Sequence, residues 1–180
     1  SALPPTPVPA PAAAPAAAGP ASEPAAENRD PPQGMVAAEH LRSVGHATPA
    51  EAFQTIVWAG LHGDDAVLFG SFSMSDGARA KLTDVLARMD AAARKKFTVP
   101  ESVPALLLAE EMLKKILRLH IDRVDLAGDA AAQVHTKITT RVGRLASQTF
   151  PMRNANGKWT LALDEKMIDS MIESLSRKRP

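Results

Sequence analysis

The spacing of apolar residues changes once in this 180-residue chain, near residue 117, and that change sets the fold class. Before it, apolar side chains recur three and four apart, as on one face of a helix. After it they alternate: Leu117, Leu119 and Ile121 are interleaved with Arg118, His120 and Asp122. A half-polar strand can hide only one face, and amphipathic helices are the natural cover for it. Val124 and Leu126 fall on the opposite parity, which predicts a bulge near Asp122–Arg123. Gly128-Asp129 then supplies a turn. Ala130, Ala132, Val134, Thr136 and Ile138 alternate with Gln133, His135, Lys137 and Thr139. A third run ends in Phe150-Pro151-Met152, where the proline predicts a sheet edge or a bulge. Asn154-Ala155-Asn156-Gly157 is a hairpin turn leading to Trp159, Leu161 and Leu163. The expectation is an α+β domain: N-terminal helices on a curved four-stranded antiparallel sheet, plus a C-terminal helix.

The helix boundaries are marked chemically. Thr48-Pro49-Ala50-Glu51 is a capping box with proline at the first helical position, followed by Phe53, Ile56, Val57, Gly60 and Leu61 and closed by Gly63. Asp64 is expected to cap a short continuation through Val67, Leu68 and Phe69. Ser75 or Asp76 opens a helix carrying Ala78, Leu82, Val85, Leu86 and Met89. A second box, Thr98-Val99-Pro100-Glu101, predicts a helix carrying Leu106, Leu107, Met112, Leu113 and Ile116. Residues 35–44 read as a short amphipathic helix with Val36, Leu41 and Val44 on one side and Gly45 as the stop. Asp164 is expected to cap the last helix, with Met167, Ile168, Met171, Ile172 and Leu175 along one face.

Residues 1–34 are of another kind. Pro and Ala fill 21 of these 34 positions, so neither helix nor sheet is expected to propagate there. The expectation is a disordered linker with polyproline II character, reaching about 100 Å when extended. The chain opens on Ser1 rather than Met. The anticipated arrangement is an extracytoplasmic domain held by this spacer behind an N-terminal membrane anchor in a longer parent. Residues 35–180 make one domain, long enough to bury about two-thirds of its unfolded surface without a disulfide.

Composition removes several kinds of chemistry. The chain has no cysteine, which excludes thiol nucleophiles, disulfide frameworks and iron–sulfur clusters. Its formal net charge is +1; the linker contributes −2, leaving +3 for the remainder. That balance argues against a dedicated nucleic-acid binder. There is no phosphate-cradling glycine loop, no nucleophile elbow and no His-Glu-x-x-His.

The run Thr48-Pro49-x-x-Ala52-x-Gln54…Trp58-Ala59…Gly63-Asp64, followed by helices and a meander ending near Gly157-Lys158-Trp159, resembles bacterial domains of the nuclear transport factor 2-like superfamily. More closely, it is similar to uncharacterised bacterial proteins in which such a domain follows a membrane segment and a low-complexity linker. The resemblance spans about residues 46–163. It implies a cone, a strongly bent sheet wrapped around a long helix with a cavity at its wide end. It also implies frequent dimers through the sheet. The helix after Asp164 departs from that pattern. Enzymes and non-enzymes share this fold, so the resemblance leaves activity open.

Steroid-isomerase-like members of the superfamily pair a cavity carboxylate with a Tyr hydroxyl. This chain contains no Tyr. The remaining acid–base candidates are His120, Asp122 and His135. Across a hairpin turning near Gly128, either Asp122 or His120 would face His135, depending on where the bulge falls. All three lie on the polar parity, so a solvated face competes with a catalytic reading. No third ligand is visible for a metal, and no cofactor is expected. By position in the related fold, Trp58, Phe69, Phe72 and Phe150 are candidates to line a pocket for a small apolar ligand. Trp58 and Trp159 also stand at core spacing. His40, His46 and His62 lie near helix ends, and Ser176-Arg177-Lys178-Arg179 forms a basic end. The expected function is binding without catalysis, of an apolar ligand or a protein, with a homodimer through the sheet as one partner. The alternative is a small polyketide-cyclase-like lyase or isomerase using Asp122 with His120 or His135.

Overall fold

In a computed structural model, residues 34–111 and 113–177 are described. The expected linker therefore lies outside them apart from Gly34, as do Met112, Lys178 and Arg179 and the side chain of Leu175. The chain is α+β. Its helices are α1 (Pro49–His62), α2 (Asp65–Phe69), α3 (Asp76–Arg88), α4 (Ala91–Lys96), α5 (Ser102–Glu111) and α6 (Glu165–Arg177). Its strands are β1 (Val36–Ala37), β2 (Phe72–Met74), β3 (Ile116–Ala127), β4 (Ala131–Thr140), β5 (Leu145–Ala155) and β6 (Lys158–Leu163).

The sheet corrects the four-stranded antiparallel expectation. It has six strands in the order β1-β3-β4-β5-β6-β2 and is mixed, because β2 runs parallel to β6. The meander β3–β6 is as expected. The two added strands are two and three residues long, too short to show an alternation. The bulge expected at Asp122 is present as a register shift between Ile121 and Arg123, and a second shift lies between Ile116 and Arg118. Ala132, Val134, Thr136 and Ile138 of β4 are buried on one face.

Alpha1 follows its capping box: Thr48 Oγ1 accepts from Glu51 N at 3.2 Å, and Glu51 Oε2 accepts from Thr48 N at 3.0 Å. Its closing residue, Gly63, has φ +70°, a conformation that favours glycine. Phe53, Ile56 and Val57 are fully buried, and α1 lies on the inner face against β3, β4 and β6. Phe53 meets Phe150 of β5 with ring centroids 4.5 Å apart. Alpha3 and α6 begin at the expected caps, with Ser75 Oγ accepting from Ala78 N and Asp164 Oδ1 from Met167 N. Alpha6 packs on α3 and α5, burying Ile168, while Lys81 of α3 reaches Asp169 at 2.8 Å and Glu165 at 3.4 Å.

Three boundaries differ from the expectation. Residues 35–44 do not form an α-helix: Val36 and Ala37 pair with Leu119 and Arg118, and Ala38–His40 make one 3-10 turn. Leu41 is buried, whereas Val36 and Val44 are exposed. Alpha5 starts at Ser102 rather than after Thr98. Pro104 is the reason, since a helix begun at Thr98 would place it in the interior, where its missing N–H and its ring break the ladder. Starting at Ser102 puts it in the first turn, where no intrahelical donor is needed. Leu113 and Ile116 accordingly leave the helix for a 3-10 turn and for β3. Alpha4 was not anticipated; Asp90 Oδ1 caps it at Ala93 N, and it buries no residue, so it has no apolar stripe to read.

Candidate functional site

His120, Asp122 and His135 lie on the outer face of the sheet, opposite the buried face of β4, and among the described residues α1 lies on the other, inner face. His135 stands opposite Arg123, and His120 opposite Lys137. Asp122 is the extra residue of the bulge, so neither anticipated cross-strand pair with His135 forms. Its carboxylate instead accepts from Lys137 Nζ at 2.9 Å, with His120 Nε2 at 3.9 Å. That hydrogen bond, and then the ammonium charge, hold the Asp122 carboxyl below the usual carboxylate range. A carboxylate stabilised in its charged form is a weaker base. His120 turns its other nitrogen to the Gly34 carbonyl at 3.0 Å. Because a carbonyl only accepts, Nδ1 carries the proton.

His135 has a different acid, one that the sequence reading missed. Its Nε2 lies 2.8 Å from Asp125 Oδ2, and its Nδ1 lies 2.9 Å from Thr149 Oγ1. Asp125 sits on β3 opposite Gln133, two residues diagonally from His135. Thr149, on β5, is the direct neighbour of His135. The alternation contained this cue, since after the Asp122 bulge Asp125 shares the parity of His135. Nε2 is buried and its approach to Asp125 lacks hydrogen-bond geometry; with the proton on Nε2, Nδ1 accepts from the Thr149 hydroxyl. The order carboxylate, imidazole, hydroxyl matches that of a hydroxyl-activating relay.

Two features make it an orienting network. Arg123 Nε binds the same Asp125 oxygen at 3.1 Å, and that hydrogen bond is the largest cause lowering the Asp125 carboxyl. Asp125 and Thr149 are exposed on an open sheet face. Nucleophilic catalysis needs donors set around a developing oxyanion and a site from which water is excluded.

The aromatic candidates are held in packing. Phe72 and Phe150 belong to the buried core, and Phe150 spends its ring on Phe53. Phe69 and Trp58 are partly buried against that core, and Trp58 stacks on His62 with centroids 4.9 Å apart. His62 Nδ1 donates to the Trp58 carbonyl at 2.9 Å. Trp159 is buried in the core. A cavity of about 220 Å³ lies elsewhere, where β5 and β6 separate; Ser73, Pro151, Arg153, Ala162 and Asp164 help line it. Ser73 Oγ is buried there without a hydrogen-bond partner among the described residues.

His46 is half-buried at the entry to α1. Its Nε2 donates to Ser71 Oγ at 2.9 Å, while the Ser71 hydroxyl donates to the Val67 carbonyl at 2.6 Å. Burial, followed by the charge of Lys158, lowers the His46 imidazole below its ordinary value. His40 is exposed, with Nε2 3.8 Å from Glu39. Among the described residues no group of three or more His, Asp or Glu is placed to hold a metal ion, and no helix is long and apolar enough to cross a membrane.

No family model matches the chain, and no curated protein matches it. A solved structure that is similar is the crystal structure at 2.00 Å of a candidate NTF2-like transpeptidase from Campylobacter jejuni. It is 11% identical, with a TM-score of 0.42, over 64% of this chain and 98% of that one.

Proposed function

We propose that this is a non-catalytic, extracytoplasmic domain of the nuclear transport factor 2-like kind that docks a protein partner, carried behind its Pro/Ala-rich stretch. One observation carries the reading: the acid–base groups of the sheet lie on an open face and are committed to one another. Asp122 is bound to Lys137, and Asp125 is shared between Arg123 and His135. Each carboxyl titrates below its ordinary range, which makes its carboxylate a weak base, whereas a general base working near neutrality needs a raised pKa. A face of alternating, paired charges suits recognition of a complementary protein surface. Phe150 packs on Phe53, and Phe72 and Trp159 are buried in the core, which favours a protein over a small apolar ligand.

Two measurements test this. The full chain is used as bait in extracts of its own source, beside a variant carrying Arg123→Glu and Lys137→Glu. A partner retained by the wild type and lost by the variant is expected; equal retention, or none above the bare support, contradicts the reading. In parallel, hydrolysis of an activated ester is compared between wild type and Thr149→Val. Equal rates are expected, and turnover that depends on Thr149 would make the relay catalytic.

A further inference from the structure

The sheet has a second surface on which chemistry and geometry converge, the free side of β5. Beta5 spans eleven residues, but β6 pairs only with Met152–Ala155. Along the rest of β5 the only strand partner among the described residues is β4. The ladder to β4 uses the even positions: Thr140 N donates to the Arg144 carbonyl, and Asn154 N to the Ala130 carbonyl. Backbone groups alternate sides along a strand, so Leu145, Ser147, Thr149 and Pro151 direct theirs to the open side. Pro151 is tolerated inside this long strand for that reason, since its missing donor faces no partner. Leu145 is 56% exposed, and Ser147, Gln148 and Thr149 are exposed as well.

Open edges invite another strand, and folds usually defend them with charges, bulges or brevity. Beta3 beyond Leu119 has no partner on its β1 side among the described residues, but it is bulged at Asp122 and carries Asp122, Arg123 and Asp125. Beta2 is three residues long. The β5 segment Leu145-Ala146-Ser147-Gln148-Thr149 has none of these defences: it is uncharged and free of bulges. Cations bracket it, Arg144 at one end and Arg153 at the other, the latter lining the cavity that holds the unpartnered Ser73 hydroxyl. From residue 130 to residue 163 the chain has five Lys and Arg and no Asp or Glu.

We infer that the free edge of β5, Leu145–Thr149, takes an extended peptide segment of a partner as an added strand, and that this segment carries carboxylates where it meets Arg144 and Arg153. Main-chain hydrogen bonds supply the affinity, and the flanking cations select acidic ends. This rests on the docking reading above and names the kind of segment docked.

The probe is the synthetic peptide Glu-Thr-Val-Thr-Val-Glu, titrated into the ¹⁵N-labelled full chain, with a control whose ends are Lys. The acidic peptide is expected to slow hydrogen exchange at the amides of Leu145, Ser147 and Thr149, and to bind at least tenfold more tightly than the control. Ser147→Pro removes a donor from the open side without touching the β4 ladder, and is expected to abolish the protection. Arg144→Glu with Arg153→Glu, whose side chains lie at the ends, is expected to reverse the preference between the peptides. Unchanged exchange at all three amides, or equal binding by Ser147→Pro, overturns the inference. A natural partner that Ser147→Pro still retains would overturn it too while leaving the docking reading intact; a wild-type chain that retains no partner would remove that reading itself.

Discussion

Gly60 of α1 and Leu113 of the 3-10 turn before β3 approach so closely that no side chain fits between them. A Cβ at Gly60 would collide with Leu113 Cδ1 and lie 2.9 Å from Leu113 Cβ. Leu113 is itself buried, at 1% exposure, so it has nowhere to withdraw. This contact ties the chain leaving α5 to the central helix and fixes where β3 enters the sheet.

Gly60→Ala is therefore expected to destabilise the domain by about 1–3 kcal/mol despite alanine's better helix propensity. Gly77 in α3 is the control. A Cβ there meets the end of the exposed, flexible Glu165 side chain, and Gly77→Ala is expected to change stability by less than about 1 kcal/mol. Urea unfolding of both variants checks the pair, and equal effects would contradict the close approach.

Phe150 separates a filled interior from a ligand cavity. Packed on Phe53 at 6% exposure, it is expected to cost about 3–5 kcal/mol when changed to alanine. A side chain lining an open pocket would cost far less, and thermal or urea denaturation reads the difference.

His46 gives a pH dependence whose sign follows from its surroundings. Its folded-state pKa is lowered from 6.5 by burial and by Lys158, so the unfolded chain takes up the proton more readily. The stability it contributes is fully present above 6.5 and is lost as pH falls below that value. Tm is expected to fall between pH 7.5 and 5.5. His46→Gln, whose amide can still donate to Ser71 Oγ, is expected to flatten that fall. An unchanged slope in the variant would assign the effect to another group.

Much of this was legible in the sequence, because the deciding signals were local. The Thr48–Glu51 box, the Asn156-Gly157 turn with its φ of +55° and +79°, the parity change at Asp122 and the Asp164 cap each act within a few residues. Beta1 and β2 were invisible because two or three residues carry no period, and long-range backbone pairing decides their state. The Thr98 box points to an earlier start for α5, but Pro104 cannot sit in a helix interior and moves the start to Ser102. At the candidate site, the three named residues share a face as anticipated, but their partners do not match. Which side chains touch depends on one residue of register at the bulge, and that register gave Asp122 to Lys137 and His135 to Asp125.

The account turns most directly on the charge state of Asp122. Carboxyl chemical shifts followed by NMR against pH should place its titration below 3.8, rising toward that value in Lys137→Gln. A titration displaced upward, toward neutrality, and indifferent to Lys137 would mark a working base and contradict a docking domain without catalysis.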